Sequence, residues 1–304
     1  MHLQPSDFKK FARHFLVEPG SKVNLKKDFD PRDTHGYDKP ENADEILQDG
    51  VELLAEYQEK LYAENARSLL VVLQALDAAG KDSTIKHVMS GVNPAGCQVT
   101  SFKAPSAEEL DHDYLWRCVK ALPARGNIGI FNRSHYEEVL VVRVHPKFLD
   151  GQRLPPDSLG EGLWASRFRQ INNFEQHLAE NGTEIVKIYL NVSKEKQAER
   201  QLERIDKPEK NWKFNPGDIA ERQHWDAYLA AYKEVFEHTS TSWVPWYVVP
   251  ADRKWFARIA VAAIIAQKLM EMDPQYPTVS EAQRQEMLAC RQVLLAEAAA
   301  DSSR

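Results

Sequence analysis

Apolar positions along the chain follow two periods. From Asp44 to Asn65, residues Ile46, Leu47, Val51, Leu54, Tyr57 and Leu61 recur at helical spacing, whereas Leu69–Leu73 is an unbroken apolar run suited to a strand buried on both faces. Four more strand-like segments follow, Gln98–Phe102, Ile128–Phe131, Ile185–Leu190 and Trp246–Val249. Helical stretches occupy residues 82–91, 106–121, 161–180, 193–205 and 217–238. Ordered alternation of this kind predicts an α/β fold with a mostly parallel central sheet and helices on both faces. The flanks read differently. Residues 1–42, rich in Lys, Asp and Pro, predict either an extended arm laid on the body or a mobile tail. Beyond a proline-punctuated loop from Pro274, Val279–Ala300 reads as a peripheral or oligomer-contacting helix that frays after Ala300. The division expected is an arm over 1–43, one domain over 44–272 and a helical extension over 273–304.

Composition narrows the class. A chain of 304 residues with 43% hydrophobic content can bury one large core. A net charge of −6 argues against a surface built for nucleic acid or an acidic membrane, so any polyanion site must be a local concentration of cations. Cys97, Cys118 and Cys290 lie far apart without metal spacing, which predicts a reducing compartment. The N-terminus lacks an apolar signal core and no segment approaches about 18 uninterrupted apolar residues, so a cytoplasmic protein with no membrane partner is expected. No two histidines sit at helical ligand spacing; His35, His112, His135, His177 and His224 read as surface or satisfied groups.

The chemistry concentrates after the first strand. There Asp77-Ala78-Ala79-Gly80-Lys81-Asp82-Ser83-Thr84 forms a small-residue turn, a Gly-Lys pair and a helix start. This layout lets backbone N–H groups and a helix dipole converge on phosphate while Lys81 adds a full charge. Against the usual phosphate loop, Ala75 stands in place of the first glycine, and Asp82 in place of the magnesium-binding hydroxyl. A second strand ends at Asn132-Arg133-Ser134-His135-Tyr136-Glu137, and both polar turns fall at strand carboxyl ends, where ligands of such sheets bind. Asn132 is a weaker metal group than a carboxylate, which shifts weight to Asp77, either as a magnesium ligand or as the group that orients the attacking oxygen. Glu137 is either a further acid of the site or a capping residue. A third stretch carries Arg200, Arg204, Lys207, Lys210 and Lys213 around two prolines; it is either a basic loop that closes over phosphates or a solvated run, since Glu203, Asp206 and Glu209 intervene. Arg167 and Arg169, two residues apart on one helix, cannot share a face, so one at most points at a site.

With these pieces in order, the chain resembles the polyphosphate kinase 2 family, in particular the branch that phosphorylates AMP as well as ADP. The resemblance is carried by Asp77–Asp82, by Asn132–Glu137 and by Asp206–Asp218. It implies a three-layer α/β/α P-loop kinase fold with a helical lid over about 204–218. It also implies dependence on Mg2+ (or Mn2+), inorganic polyphosphate as donor, adenine nucleotides as acceptors and a homo-oligomer. By the same resemblance, Asp77 organises the metal and reacting phosphates and Lys81 grips phosphate, with Ala78, Ala79, Gly80, Asp82, Ser83 and Thr84 lining the loop. Asn132, Arg133, Ser134 and Glu137 form the second-motif side, and Arg204, Lys207, Lys210 and Lys213 belong to the lid. Family members confined to diphosphates carry Asp-Arg-Ser where this chain has Asn132-Arg133-Ser134. A flexible polyanion needs a groove of spaced cations, for which Lys103, Lys120, Arg125, Arg133, Lys207, Lys210 and Lys213 are candidates. The competing expectations are an ATP-dependent nucleoside monophosphate kinase and a non-catalytic phosphate sensor. The pairing of Asp77 with Lys81 speaks against the sensor, since a pure anion binder gains nothing from an adjacent carboxylate.

Overall fold

A 22-residue helix, α1 (Ala43–Glu64), delivers the chain into β1 (Ser68–Ala75), whose eight residues are all buried. The computed structural model describes residues 5–39, 41 and 43–301. In it β1, β2 (Cys97–Ser101), β3 (Ile128–Asn132), β4 (Thr183–Asn191) and β5 (Trp246–Pro250) form one sheet in the order β2-β3-β1-β4-β5. Every pairing is parallel, with Leu73 opposite Asn132 and Ala75 opposite Leu190. Because β1 is flanked by strands that follow it in the chain, the connections leave it in opposite directions. A crevice is thereby left at its carboxyl end.

The helices that matter for the site are α2 (Lys81–Val88), α3 (Leu163–Glu180), α4 (Lys194–Asp206), α5 (Trp225–Thr239), α6 (Lys254–Met272) and α7 (Glu281–Asp301). On one face α6 packs against α1 and α2; on the other, α3 lies on β4 and against α5. The close approach of α1 and α6 runs through Gly50, where an added Cβ would stand 3.5 Å from that of Ala262. Among the described residues, no helix is long and apolar enough to cross a membrane.

Three differences from the expected pattern stand out. The segment 106–121 is two short helices, Ala107–Leu110 and Trp116–Lys120. Asp113 Oδ1 accepts the Leu115 N–H at 2.8 Å, a local bond that offers the backbone an alternative to a continuous helix. Segment 217–238 is broken in the same way into Pro216–Glu221, a 3-10 turn at Arg222–His224 and α5. The third, α6, has no counterpart in the pattern, because Phe256, Ala257 and Ile259–Ala266 are buried all round and an all-apolar helix has no periodicity to read.

The N-terminal residues are laid on the body, though not as an extended arm. Helical turns at Phe8–Ala12 and Arg13–Phe15 bury Phe8, Phe11 and Phe15. Leu16 then bridges to Tyr247 antiparallel, and Val17 N–H donates to the Trp246 carbonyl at 2.9 Å. Glu281–Asp301 is helical and exposed throughout its described side chains; the expected fraying beyond Ala300 falls largely outside the described residues.

Candidate active site

The turn after β1 is tight because two of its residues take left-handed conformations, Ala78 at φ 58° and Gly80 at φ 111°. Glycine adopts such values freely, whereas at Ala78 they cost on the order of 1 kcal/mol. Two side chains of α4 brace this turn, one of them backed by Arg222. Arg200 donates from Nη1 to the carbonyls of Ala78 (3.1 Å) and Ala79 (2.7 Å), and from Nη2 to those of Ala251 (2.7 Å) and Asp252 (3.1 Å). Gln197 Nε2 donates to the Asp77 carbonyl at 2.9 Å, and Arg222 in turn donates to Gln197 Oε1. The basic residue Arg200 therefore serves the backbone of the loop.

Lys81 opens α2 and folds back over the turn, its Nζ 2.7 Å from the Ala75 carbonyl and 3.4 Å from that of Leu76. Burial, then the charge of Arg133, push its pKa down to about 8, against the pull of Asp77, Glu137 and Asp82. Asp82 accepts from Asn132 Nδ2 at 2.7 Å, so it ties α2 to the end of β3. Ser83 accepts from Arg258 Nη2 at 2.9 Å, and Thr84 is buried.

On β3, Asn132 also donates to Ser101 Oγ at 3.3 Å, while its own Oδ1 is buried without a partner. Arg133 takes φ 63° as the strand ends and reaches Asp77 Oδ1 at 2.7 Å. Burial opposes its charge, but Glu137 and Asp77 outweigh that and push its pKa up. Ser134 is fully buried and accepts from Gln74 Nε2 and the Tyr136 N–H, both at 3.2 Å, so it shapes the turn. Glu137 stands beside Arg133 and Lys81; burial pushes its pKa up while both cations pull it down.

Behind this turn lies a buried polar cluster. Tyr136 Oη donates to Glu175 Oε1 at 2.8 Å, His135 Nε2 lies 3.2 Å from the same oxygen, and Lys187 Nζ lies 2.6 Å from Glu175 Oε2 and from the Thr239 carbonyl. His135, expected at the surface or as a satisfied partner, is buried, with Nε2 paired to Glu175 and Nδ1 without a partner. Of the two arginines on α3, Arg167 is buried against Glu138 (3.0 Å) and over the Tyr114 ring, and Arg169 is exposed.

Asp77, Arg133 and Glu137 converge on a cavity of about 150 Å³. Its far wall is Glu221, Arg222, Trp225, Tyr228 and Tyr232, on Pro216–Glu221, the 3-10 turn after it and α5. Glu221 Oε2 accepts from Tyr228 Oη at 2.8 Å and lies 2.9 Å from His145 Nε2, which pins that wall to the segment after β3. The lid cations do not reach this cavity. Arg204 pairs with Asp218 at 2.8 Å, Lys207 and Lys210 share Glu203, and Lys213 lies over the Trp212 ring. Of the other groove candidates, Arg125 donates to the Ala66 carbonyl, just before β1 and at the opposite end of the sheet. Sequence reasoning missed Gln74, Gln197 and Arg258, which reach the loop and second motif from distant elements. Chemistry-bearing type was their only signal.

Residues 37–277 match the family model described as Polyphosphate kinase 2. The ADP-polyphosphate phosphotransferase of Rhodopseudomonas palustris is 49% identical over 93% of this chain and 98% of its own. The AMP/ADP-polyphosphate phosphotransferase of Meiothermus ruber is 44% identical over 87% of this chain and 95% of its own. The crystal structure of Polyphosphate Kinase 2 from Arthrobacter aurescens superimposes with a TM-score of 0.80 at 39% identity, over 90% of this chain and 98% of that one.

Proposed function

The chain belongs to the polyphosphate kinase 2 family, a phosphotransferase on a three-layer P-loop kinase-like fold, and on that footing we propose that it moves the terminal phosphoryl group of polyphosphate onto both AMP and ADP. The observation that carries this reading is the meeting of Asp77, Lys81, Arg133 and Glu137 between a phosphate-loop turn and an aromatic-walled cavity. Phosphoryl transfer asks the protein for alignment and positive charge and for little covalent work. Lys81 and Arg133 supply the charge where the equatorial oxygens become more negative. Asp77 aligns Arg133 and the acceptor oxygen, and Ala78–Thr84 cradle the donor phosphates, whose chain leaves directly without a covalent enzyme intermediate.

The cavity lies below the roughly 300–1,000 Å³ of small-ligand sites, so acceptor entry requires the wall of Glu221 and Trp225 to move outward. Its return would exclude water and bring Arg204, Lys207, Lys210 and Lys213 toward the phosphates. The residues fit a hard divalent ion, since Asp77 and the orphaned Asn132 Oδ1 are oxygen donors and Mg2+ takes one or two carboxylates plus substrate phosphates. When bound, Mg2+ or Mn2+ supplies charge neutralisation between donor and acceptor phosphates. Self-association through exposed side chains of α7, among them Met287, Leu294 and Leu295, belongs to the same reading. Sedimentation giving a monomer at micromolar concentration would count against that part.

AMP incubated with polyphosphate as sole donor should yield ADP and then ATP. Turnover with ATP as donor and none with polyphosphate would refute the reading.

A further inference from the structure

The run Asp28-Phe29-Asp30-Pro31-Arg32-Asp33 has no part in the reaction as described, and it precedes the span 37–277 that matches the family model. Asp30 Oδ1 accepts the Arg32 N–H at 2.9 Å and the Asp30 carbonyl accepts the Asp33 N–H at 3.1 Å, a tight turn whose backbone Pro31 pre-sets. The turn lies on the rim where β4 and β5 end. Asn191, the last residue of β4, donates from Nδ2 to the Phe29 carbonyl at 2.6 Å, and Asp252, just past β5, donates its N–H to the Pro31 carbonyl at 3.1 Å. Arg32 adds its charge there, with Nη2 3.2 Å from Glu195 Oε2 and Nε 3.9 Å from Asp252 Oδ2.

Asp252 links this turn to the site. Its carboxylate accepts the N–H and the hydroxyl of Ser193 at 2.8 and 2.7 Å, and Ser193 is the N-cap of α4. The Ala251 N–H donates to the Asn191 carbonyl at 2.8 Å. The carbonyls of Ala251 and Asp252 are the two that Arg200 binds through Nη2, while its Nη1 holds those of Ala78 and Ala79. Arg200 and Gln197, the α4 side chains that brace the loop, therefore stand on a helix whose start is locked to Asp252. Asn191 is 5% exposed and the Asp252 side chain 7%, and neither lines the acceptor cavity. Polar groups buried that deeply need partners, and theirs are the N-terminal turn and the start of α4. The loop in turn needs holding from outside, because Ala78 at φ 58° sits in a conformation its own side chain disfavours.

We propose that residues 29–32 are a clasp that positions the phosphate loop: by closing on Asn191 and Asp252 they fix the start of α4, from which Arg200 and Gln197 hold the carbonyls of Asp77, Ala78 and Ala79. Asn191 and Asp252 are then positioning residues, which act on the donor phosphates through the loop without touching them. The inference rests on the loop cradling a polyphosphate donor, as proposed above. It gives the N-terminal residues a part in the reaction from outside the span that matches the family model.

The test joins steady-state kinetics with polyphosphate and AMP to amide hydrogen exchange across residues 76–84, in Asn191→Ala, Asp30→Ala and Ser240→Ala. Asn191→Ala removes the bond to Phe29, and Asp30→Ala, at an exposed position, loosens the turn without opening the core. Ser240→Ala is the control: Ser240 Oγ donates to the Val17 carbonyl at 2.6 Å, another buried bond to the N-terminal residues but at the amino end of β5. In Asn191→Ala, KM for polyphosphate should rise roughly three- to tenfold and the loop amides should exchange faster by a similar factor, with a change of about twofold in the same direction in Asp30→Ala. KM for AMP should move less, and Ser240→Ala should keep wild-type kinetics and loop exchange. Unchanged kinetics and loop exchange in both Asn191→Ala and Asp30→Ala, a rise confined to AMP, or the same changes in Ser240→Ala would overturn the clasp. Wild-type protein inert toward polyphosphate, with loop exchange still faster in Asn191→Ala, would instead overturn the donor assignment and leave the clasp standing.

Discussion

Protonation of Lys81 offers a sharp test, because donor binding should pull a proton onto the protein. Burial and Arg133 lower its pKa from an ordinary 10.5 to about 8 in the protein without ligand. At pH 9 about nine molecules in ten then carry a neutral Lys81, and at pH 7 about one in ten. A bound polyanion beside the amine restores the charge, so binding should take up about 0.9 proton at pH 9 and about 0.1 at pH 7. Over the same range kcat/KM should fall about tenfold per pH unit above 8. Titration calorimetry in two buffers of different ionisation enthalpy measures the uptake directly. Uptake near zero at pH 9, or equal uptake in Lys81→Met, would refute the reasoning. The same shift has a stability signature of the same sense as a paired carboxylate, displaced to alkaline pH. Between about pH 8 and 10.5 the unfolded chain binds more protons at this site than the folded one, so ligand-free stability gains about 3 kcal/mol across that window, a gain absent in Lys81→Met.

Further outcomes follow from the site. Asp77→Asn should lower kcat by roughly 10²–10³-fold while leaving unfolding within about 1 kcal/mol of wild type, since the pair with Arg133 is part-exposed; unchanged kcat would place this carboxylate outside the reaction. Arg200→Gln strips the charged donors from four carbonyls and should cost about 3 kcal/mol or more in urea unfolding; a loss under 1 kcal/mol would mean the turn holds itself. Lys187→Met leaves Glu175 buried and uncompensated, at a cost of about 3–5 kcal/mol. The double variant Lys187→Met/Glu175→Leu should recover much of it, and a double variant as unstable as the single one would deny the coupling.

Four strands were legible as short apolar runs beside a turn signal and β2 as a shorter alternating one, and β1, β3 and β4 are nearly or wholly buried. The loop was legible for the same local reason, Gly80 and Lys81 being adjacent to the strand that presents them. What escaped was non-local. Neither Arg200 nor Arg258 announces that its partner lies more than a hundred residues away on the first loop. Ser134 reads as a ligand in the motif, yet it closes a turn with Gln74. The lid cations read as free charge, yet Glu203 and Asp218 hold three of them in this conformation. Charge pattern gives the inventory of a basic segment, and only packing decides which charges are already spent.

The docking of the N-terminal residues imposes an order on how the molecule can be made. Phe11 and Phe15 leave the ribosome long before the ring they both meet, Phe256, and the carbonyl that Val17 bonds, on Trp246. At roughly 5–20 residues per second, the roughly 230 residues between them take about 10–45 s to synthesise. For that interval the nascent chain carries an aromatic segment whose cover is limited to nearby rings such as Tyr37 and His35. A fragment ending before α6 would keep that surface indefinitely, and a trigger-type chaperone that binds short aromatic segments would find its target at the start of this chain.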